Sequence, residues 1–82
     1  MRAAPLRILR KAMIHTRVSS SNLYSVGYDS TSRTLEVAFH GGSLYRYAGV
    51  SEAVYRGLMS ATSHGTYFAA YVRNVYPYFR VR

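Results

Sequence analysis

Three histidines, His15, His40 and His64, and three carboxylates, Asp29, Glu36 and Glu52, are the side chains in this 82-residue chain best suited to proton exchange or metal binding near neutral pH. Their spacing argues against both. No two histidines stand at metal-ligand spacing on one element, and no two carboxylates pair as acid and base. Ser63-His64-Gly65 sets a hydroxyl beside an imidazole in the sequence. Sequence neighbours rarely point at each other, however, and no orienting carboxylate follows, so the tripeptide reads as helix punctuation. Gly41-Gly42 lacks the glycine spacing and following helix of a phosphate-cradling loop. With no cysteine there is neither a disulfide nor a thiolate zinc site. The sequence predicts no catalysis, no metal and no cofactor.

What remains is arginine and tyrosine. Eleven cations against three acids give a net charge of +8, and the pI is near 10.3. All the cations but Lys11 are arginine, whose planar fork grips phosphate or carboxylate with two bonds and stacks on aromatic faces. Such a surface favours a polyanion or an acidic protein, although basic charge also serves plain solubility. Nine tyrosines are interleaved with the arginines. Tyr45-Arg46-Tyr47 admits two readings. The rings, with Tyr24 and Tyr28, form a platform for unpaired bases while Arg33, Arg46, Arg73, Arg80 and Arg82 meet phosphates. Alternatively Tyr45 and Tyr47 are core rings, and Arg46 then points the other way, beside Glu36 and His40. Arg10 and Lys11 add two further candidate contacts.

These residues need elements to hold them. A chain of 82 residues makes one small domain that buries only about 60–65% of its unfolded surface. After the polar turn Ser19–Asn22, residues 23–28 alternate, which predicts a strand with Tyr24, Val26 and Tyr28 on one face. Asp29-Ser30-Thr31-Ser32 reads as a hairpin loop. Residues 33–40 form a second strand, with Leu35, Val37 and Phe39 on one face and Glu36, Ala38 and His40 on the other. A tight Gly41-Gly42 turn leads into a third strand over 43–48. Ser51 caps a helix with Glu52 in its first turn, and Val54, Leu58 and Ala61 give its stripe. Gly65 ends that helix, Thr66 caps the next, and Phe68, Val72 and Val75 continue to Pro77. The tail 78–82 adds an edge strand or lies across the sheet. The expected architecture is α+β: a three-stranded antiparallel meander with two short helices packed on one face.

Residues 1–16 carry four cations and no acid, with Leu6, Leu9 and Met13 at helical spacing. Three readings stand: a nucleic-acid-contacting arm, a targeting-like leader, or a loose start before the domain. The last is the expectation, with a basic flexible arm over 1–16 and the domain over 17–82.

The ordered motifs Ser19-Ser20-Ser21-Asn22, Gly27-Tyr28-Asp29, Leu35-Glu36-Val37-Ala38-Phe39, Gly42, Tyr45-Arg46-Tyr47, Val50, Val54-Tyr55, Leu58, Ala61, Ser63, Gly65, Tyr67-Phe68, Val72-Arg73 and Tyr76 resemble the KTSC domain family in order and spacing, over about residues 17–78. Ser51 stands where such sequences often carry proline. The family takes its name from the C-terminus of some lysyl-tRNA synthetases and also occurs as small stand-alone bacterial and phage-type proteins. The resemblance implies a bacterial or phage context and, through that association, a tilt toward RNA.

Together these readings predict a non-catalytic basic module that binds nucleic acid, RNA by preference. The alternative is a protein-interaction module or small inhibitor docking on an acidic surface of a larger enzyme. The expected location is the cytoplasm. No segment long and apolar enough for a membrane span, and no secretory leader, is visible, and self-association is allowed.

Overall fold

Alternating strands, the first four separated by short polar turns, build a single sheet, and the computed structural model describes it over residues 13–82. Five strands, β1 (His15–Arg17), β2 (Leu23–Asp29), β3 (Thr34–Phe39), β4 (Leu44–Tyr47) and β5 (Tyr78–Arg80), lie in chain order, every neighbouring pair antiparallel. Two helices, α1 (Glu52–Ser60) and α2 (His64–Tyr71), come between β4 and β5. The α+β class and the central meander match the expectation, and the sheet is wider by one strand at each edge. β1 falls partly within residues 1–16, so the sheet begins at His15, inside the stretch expected to be an arm. Arg10 and Lys11 lie outside the described residues.

The core forms where the apolar faces meet: Leu23, Val26, Leu35, Val37, Tyr47, Val50, Leu58, Phe68 and Val72 are buried together. Each fully buried Leu or Val contributes about 1.5–3 kcal/mol relative to exposure. Tyr28 seals one end. Its hydroxyl donates to the Val50 carbonyl at 2.6 Å and its ring stacks on Tyr55 with centroids 4.6 Å apart.

Strict alternation fails at one place. A register shift between Leu23 and Ser25 lets Leu23 pair with Phe39 and Ser25 with Ala38. One extra residue in a strand reassigns the faces beyond it. Tyr24 consequently leaves the face of Val26 and Tyr28 and becomes exposed, with the Arg17 guanidinium 4.0 Å over its ring. The β3–β4 loop also differs from the expected two-residue turn. It spans residues 40–43, and only Gly42 takes a positive φ, of 98°.

Ser51 caps α1 as expected, its hydroxyl accepting from the Val54 N–H at 3.3 Å, and Glu52 pairs with Arg56 one turn on at 2.8 Å. The second cap is Ser63 rather than Thr66, its hydroxyl accepting from the Thr66 N–H at 3.2 Å. His64 closes the preceding helix, its Nδ1–H donating to the Leu58 carbonyl at 2.8 Å. Gly65 thus sits inside the first turn of α2 instead of ending α1. α2 stops at Tyr71, well short of Pro77, because the chain turns through Asn74 at φ 64°. The helices cross closely at Gly57, where the Tyr67 hydroxyl occupies the space a Cβ would need.

Candidate nucleic-acid interface

Two surfaces gather the arginines and tyrosines. The first is a cleft between the β4–β5 edge and the C-terminal end of α2, lined by Asn22, Phe39, Ser43, Tyr45, Tyr47, Phe68, Arg73, Asn74 and Tyr78. Strand register places its aromatic side: Tyr47 stands opposite Tyr78, and Tyr45 opposite Arg80, on the same face of the sheet. The ring centroids of Tyr45 and Tyr78 are 5.7 Å apart and those of Tyr47 and Tyr78 5.6 Å. Phe68 of α2 meets Tyr47 edge-on at 5.6 Å and so sets the floor. Arg73 and Asn74 reach the cleft because α2 ends just before them, and the positive φ of Asn74 turns the chain back toward β5.

Exposure separates the two central tyrosines. Tyr47 is 4% exposed and belongs to the core, which bears out the second reading of the Tyr-x-Tyr motif for that ring. Burial, with smaller contributions from Tyr45 and Tyr78, pushes its hydroxyl up to about 12, and the Arg73 guanidinium opposes the shift. Tyr45 is half-buried, and Tyr78 is 56% exposed. Ring surface open to a ligand therefore comes from Tyr45 and Tyr78, beside the exposed Arg73 and Arg80. Arg82 continues this edge, its Nε–H donating to the Gly42 carbonyl at 3.4 Å.

The second surface is the sheet face opposite the core. Register aligns one residue from each strand across it: His15, Gly27, Glu36, Arg46 and Phe79. Arg46 does point to this face, as alternation predicts, but it is not a free cation. Its Nε–H donates to Glu36 Oε2 at 2.6 Å, while His15 Nε2 lies 2.6 Å from Glu36 Oε1 and His15 Nδ1 lies 2.7 Å from Ser25 Oγ. Burial alone would raise the Glu36 carboxyl, but the hydrogen bonds and charges of His15 and Arg46 outweigh it and hold the group below its ordinary range. Gly27 makes room for the imidazole: a Cβ there would lie 2.9 Å from His15 Cδ2.

Of the residues expected to bind, the structure brings Tyr45, Tyr47, Arg73, Arg80 and Arg82 to one edge. Arg46 lies on the other face, held by Glu36. Arg33 is remote, in the β2–β3 hairpin at φ 58°, its carbonyl accepting from the Val50 N–H at 2.9 Å. Sequence reading missed Tyr78, Asn74, Asn22 and Ser43 as cleft residues. The alternation of the tail, which carries Tyr78 and Arg80 onto one face, was the available signal. Beside the cleft, and sharing Asn22 with it, runs a shallow hydroxyl-rich groove where Ser19–Asn22 meets Ser63–Thr66. Asn22 there lies close against Gly65, where a Cβ would stand 2.7 Å from its Oδ1.

Comparison with known proteins identifies the family of this fold. The model of the KTSC domain matches residues 19–76. An uncharacterized protein of Stutzerimonas stutzeri is 43% identical over 56 residues, which cover 68% of this chain and 79% of that one. The crystal structure of a KTSC domain protein from Yersinia pestis superimposes with a TM-score of 0.81 at 36% identity, covering 87% of this chain and all of the other.

Proposed function

The chain belongs to the KTSC domain family, and from that premise we propose that it is a non-catalytic module binding single-stranded nucleic acid, RNA by preference. One unpaired base enters the cleft and packs against Tyr45 and Tyr78, and the flanking phosphates are met by Arg73, Arg80 and Arg82. The observation that carries this reading is the meeting of half-buried Tyr45 and exposed Tyr78 with two exposed arginines at one edge of a chain of net charge +8. Stacking of this kind is worth about 1–3 kcal/mol per base. The counterions that arginines displace from phosphates supply the rest. The preference for RNA leans on the occurrence of such domains at the end of a tRNA-handling enzyme.

The test is a titration of labelled single-stranded RNA, with single-stranded DNA and duplex RNA as comparison arms, at rising salt. Association that falls steeply with salt and is strongest for the single strand is the expected result. No association at low salt overturns the proposal.

Docking on an acidic protein surface is a second reading, favoured by exposed Phe79 beside Arg80 and Arg82, because interfaces are enriched in aromatic residues and arginine. A single stoichiometric protein partner retained after nuclease treatment would favour it.

A further inference from the structure

β5 is the edge strand of the sheet, and no described strand pairs with its outer side. Such an edge offers unpaired main-chain groups to another strand. The bonds to β4 fix its phase. The Ala48 N–H donates to the Pro77 carbonyl at 2.9 Å, and the Val81 N–H to the Leu44 carbonyl at 2.7 Å. Pro77, Phe79 and the Val81 N–H therefore turn inward, and by alternation Tyr78 and Arg80 turn their main-chain groups outward, a phase that ends at Arg82, whose N–H and carbonyl both bond Leu44. The N–H that proline lacks falls on the inner side, so the outer edge is not interrupted by it. The side chains here are open as well: Tyr78 is 56% and Phe79 59% exposed.

We propose that β5 pairs antiparallel with β5 of a second copy of this chain, about a two-fold axis at Phe79, so that one sheet runs through both copies. This axis makes Tyr78 of each copy a hydrogen-bonded pair with Arg80 of the other, using the outward groups of both residues. It also lays a guanidinium beside a tyrosine ring on each side, an attractive pairing. The two Phe79 rings face each other on the opposite side of the sheet. The competing axes are worse. One at Arg80 sets two guanidiniums directly opposite, which is repulsive, and one at Tyr78 carries Arg80 against Tyr76, outside the strand. The net charge of +8 on each copy opposes association, so pairing strengthens as salt rises. That sign is opposite to the one expected for nucleic-acid binding, and the pairing does not depend on that binding.

Because the chain has no cysteine, single introduced thiols test the register directly. In the full chain, Phe79→Cys places its two thiols across the axis within disulfide reach. Val81→Cys faces Pro77 of the second copy and leaves its thiols about 13 Å apart along the strand. Under mild oxidation in moderate salt, the Phe79→Cys chain cross-links faster than the Val81→Cys chain by roughly tenfold, and the unsubstituted chain shifts toward twice its mass as its concentration rises in sedimentation. Circular dichroism confirms that both variants keep the fold. Equal cross-linking rates, no cross-linking, or an unsubstituted chain that stays at single mass each overturns the proposal.

Discussion

Arg46 and Glu36 face each other directly across β3 and β4, and the 2.6 Å contact of Nε with Oε2 ties this arginine into the sheet. The Glu36 side chain is 6% exposed, so its charge relies on Arg46 and His15. Arg46→Ala leaves that carboxylate with one partner on a face that no described helix covers. The expected loss is about 2 kcal/mol of stability, read by urea denaturation. RNA affinity and its salt slope stay unchanged, which sets this position apart from Arg73.

The same carboxylate makes stability depend on acid. Its folded pKa lies below the ordinary value of 4.5, so the unfolded chain takes up the proton first as pH falls. The stabilisation is complete above the ordinary carboxylate range and is lost as pH drops through the folded pKa. Glu36→Gln removes this component, flattening the denaturation midpoint across the acid range while lowering it at neutral pH.

Gly27→Ala pushes a methyl group to 2.9 Å from the His15 ring and 3.2 Å from the Ile14 carbonyl. The imidazole is displaced from Glu36, at an expected cost of about 1–2 kcal/mol. A double-mutant cycle with His15→Ala checks the cause: in the His15→Ala background, most of the Gly27→Ala cost disappears.

Tyr47 provides an alkaline counterpart. Its folded pKa of about 12 lies above the usual 10.0, so stability is whole below the ordinary tyrosine range and declines as pH rises through that window. Tyrosinate absorbance shows a last ionisation step that is missing in Tyr47→Phe, whereas the Tyr28 hydroxyl, also raised by burial, still ionises late in that variant. An earlier final titration step in the unsubstituted chain would contradict the burial of that hydroxyl.

Binding measurements discriminate within the cleft. Under the proposed RNA binding, Arg73→Ala and Arg80→Ala are each expected to lower affinity and to reduce the salt slope by about one. Tyr45→Ala weakens binding by about 1–3 kcal/mol with the slope unchanged. Arg33→Ala, remote in its hairpin, changes neither beyond the small effect of one charge.

Much of this molecule was legible in advance because alternation is a local property. The placement of Leu35, Val37 and Tyr47 on the covered face, and of Glu36 and Arg46 on the other, follows from period two alone. The bulge at Leu23–Ser25 left no comparable mark, and it moved Tyr24 to the opposite face. His15 was hidden for another reason. Its role depends on a pairing with Gly27 twelve residues later, inside a stretch whose composition looked like an arm. The cleft was half legible. Tyr45, Tyr47 and Arg73 stand out in the sequence, but joining them to Tyr78 and Asn74 required the pairing of β5 with β4 across two helices.

That last pairing predicts an order of events during folding. In a sheet whose spatial order equals its chain order, β1 to β4 join through short loops that close quickly, whereas β5 must wait for the whole span from Ala48 to Pro77 to be arranged. During synthesis, four strands are complete before the cleft has its far wall. The fifth strand should therefore be the last to gain amide protection in pulse-labelled hydrogen exchange, and the first to lose it.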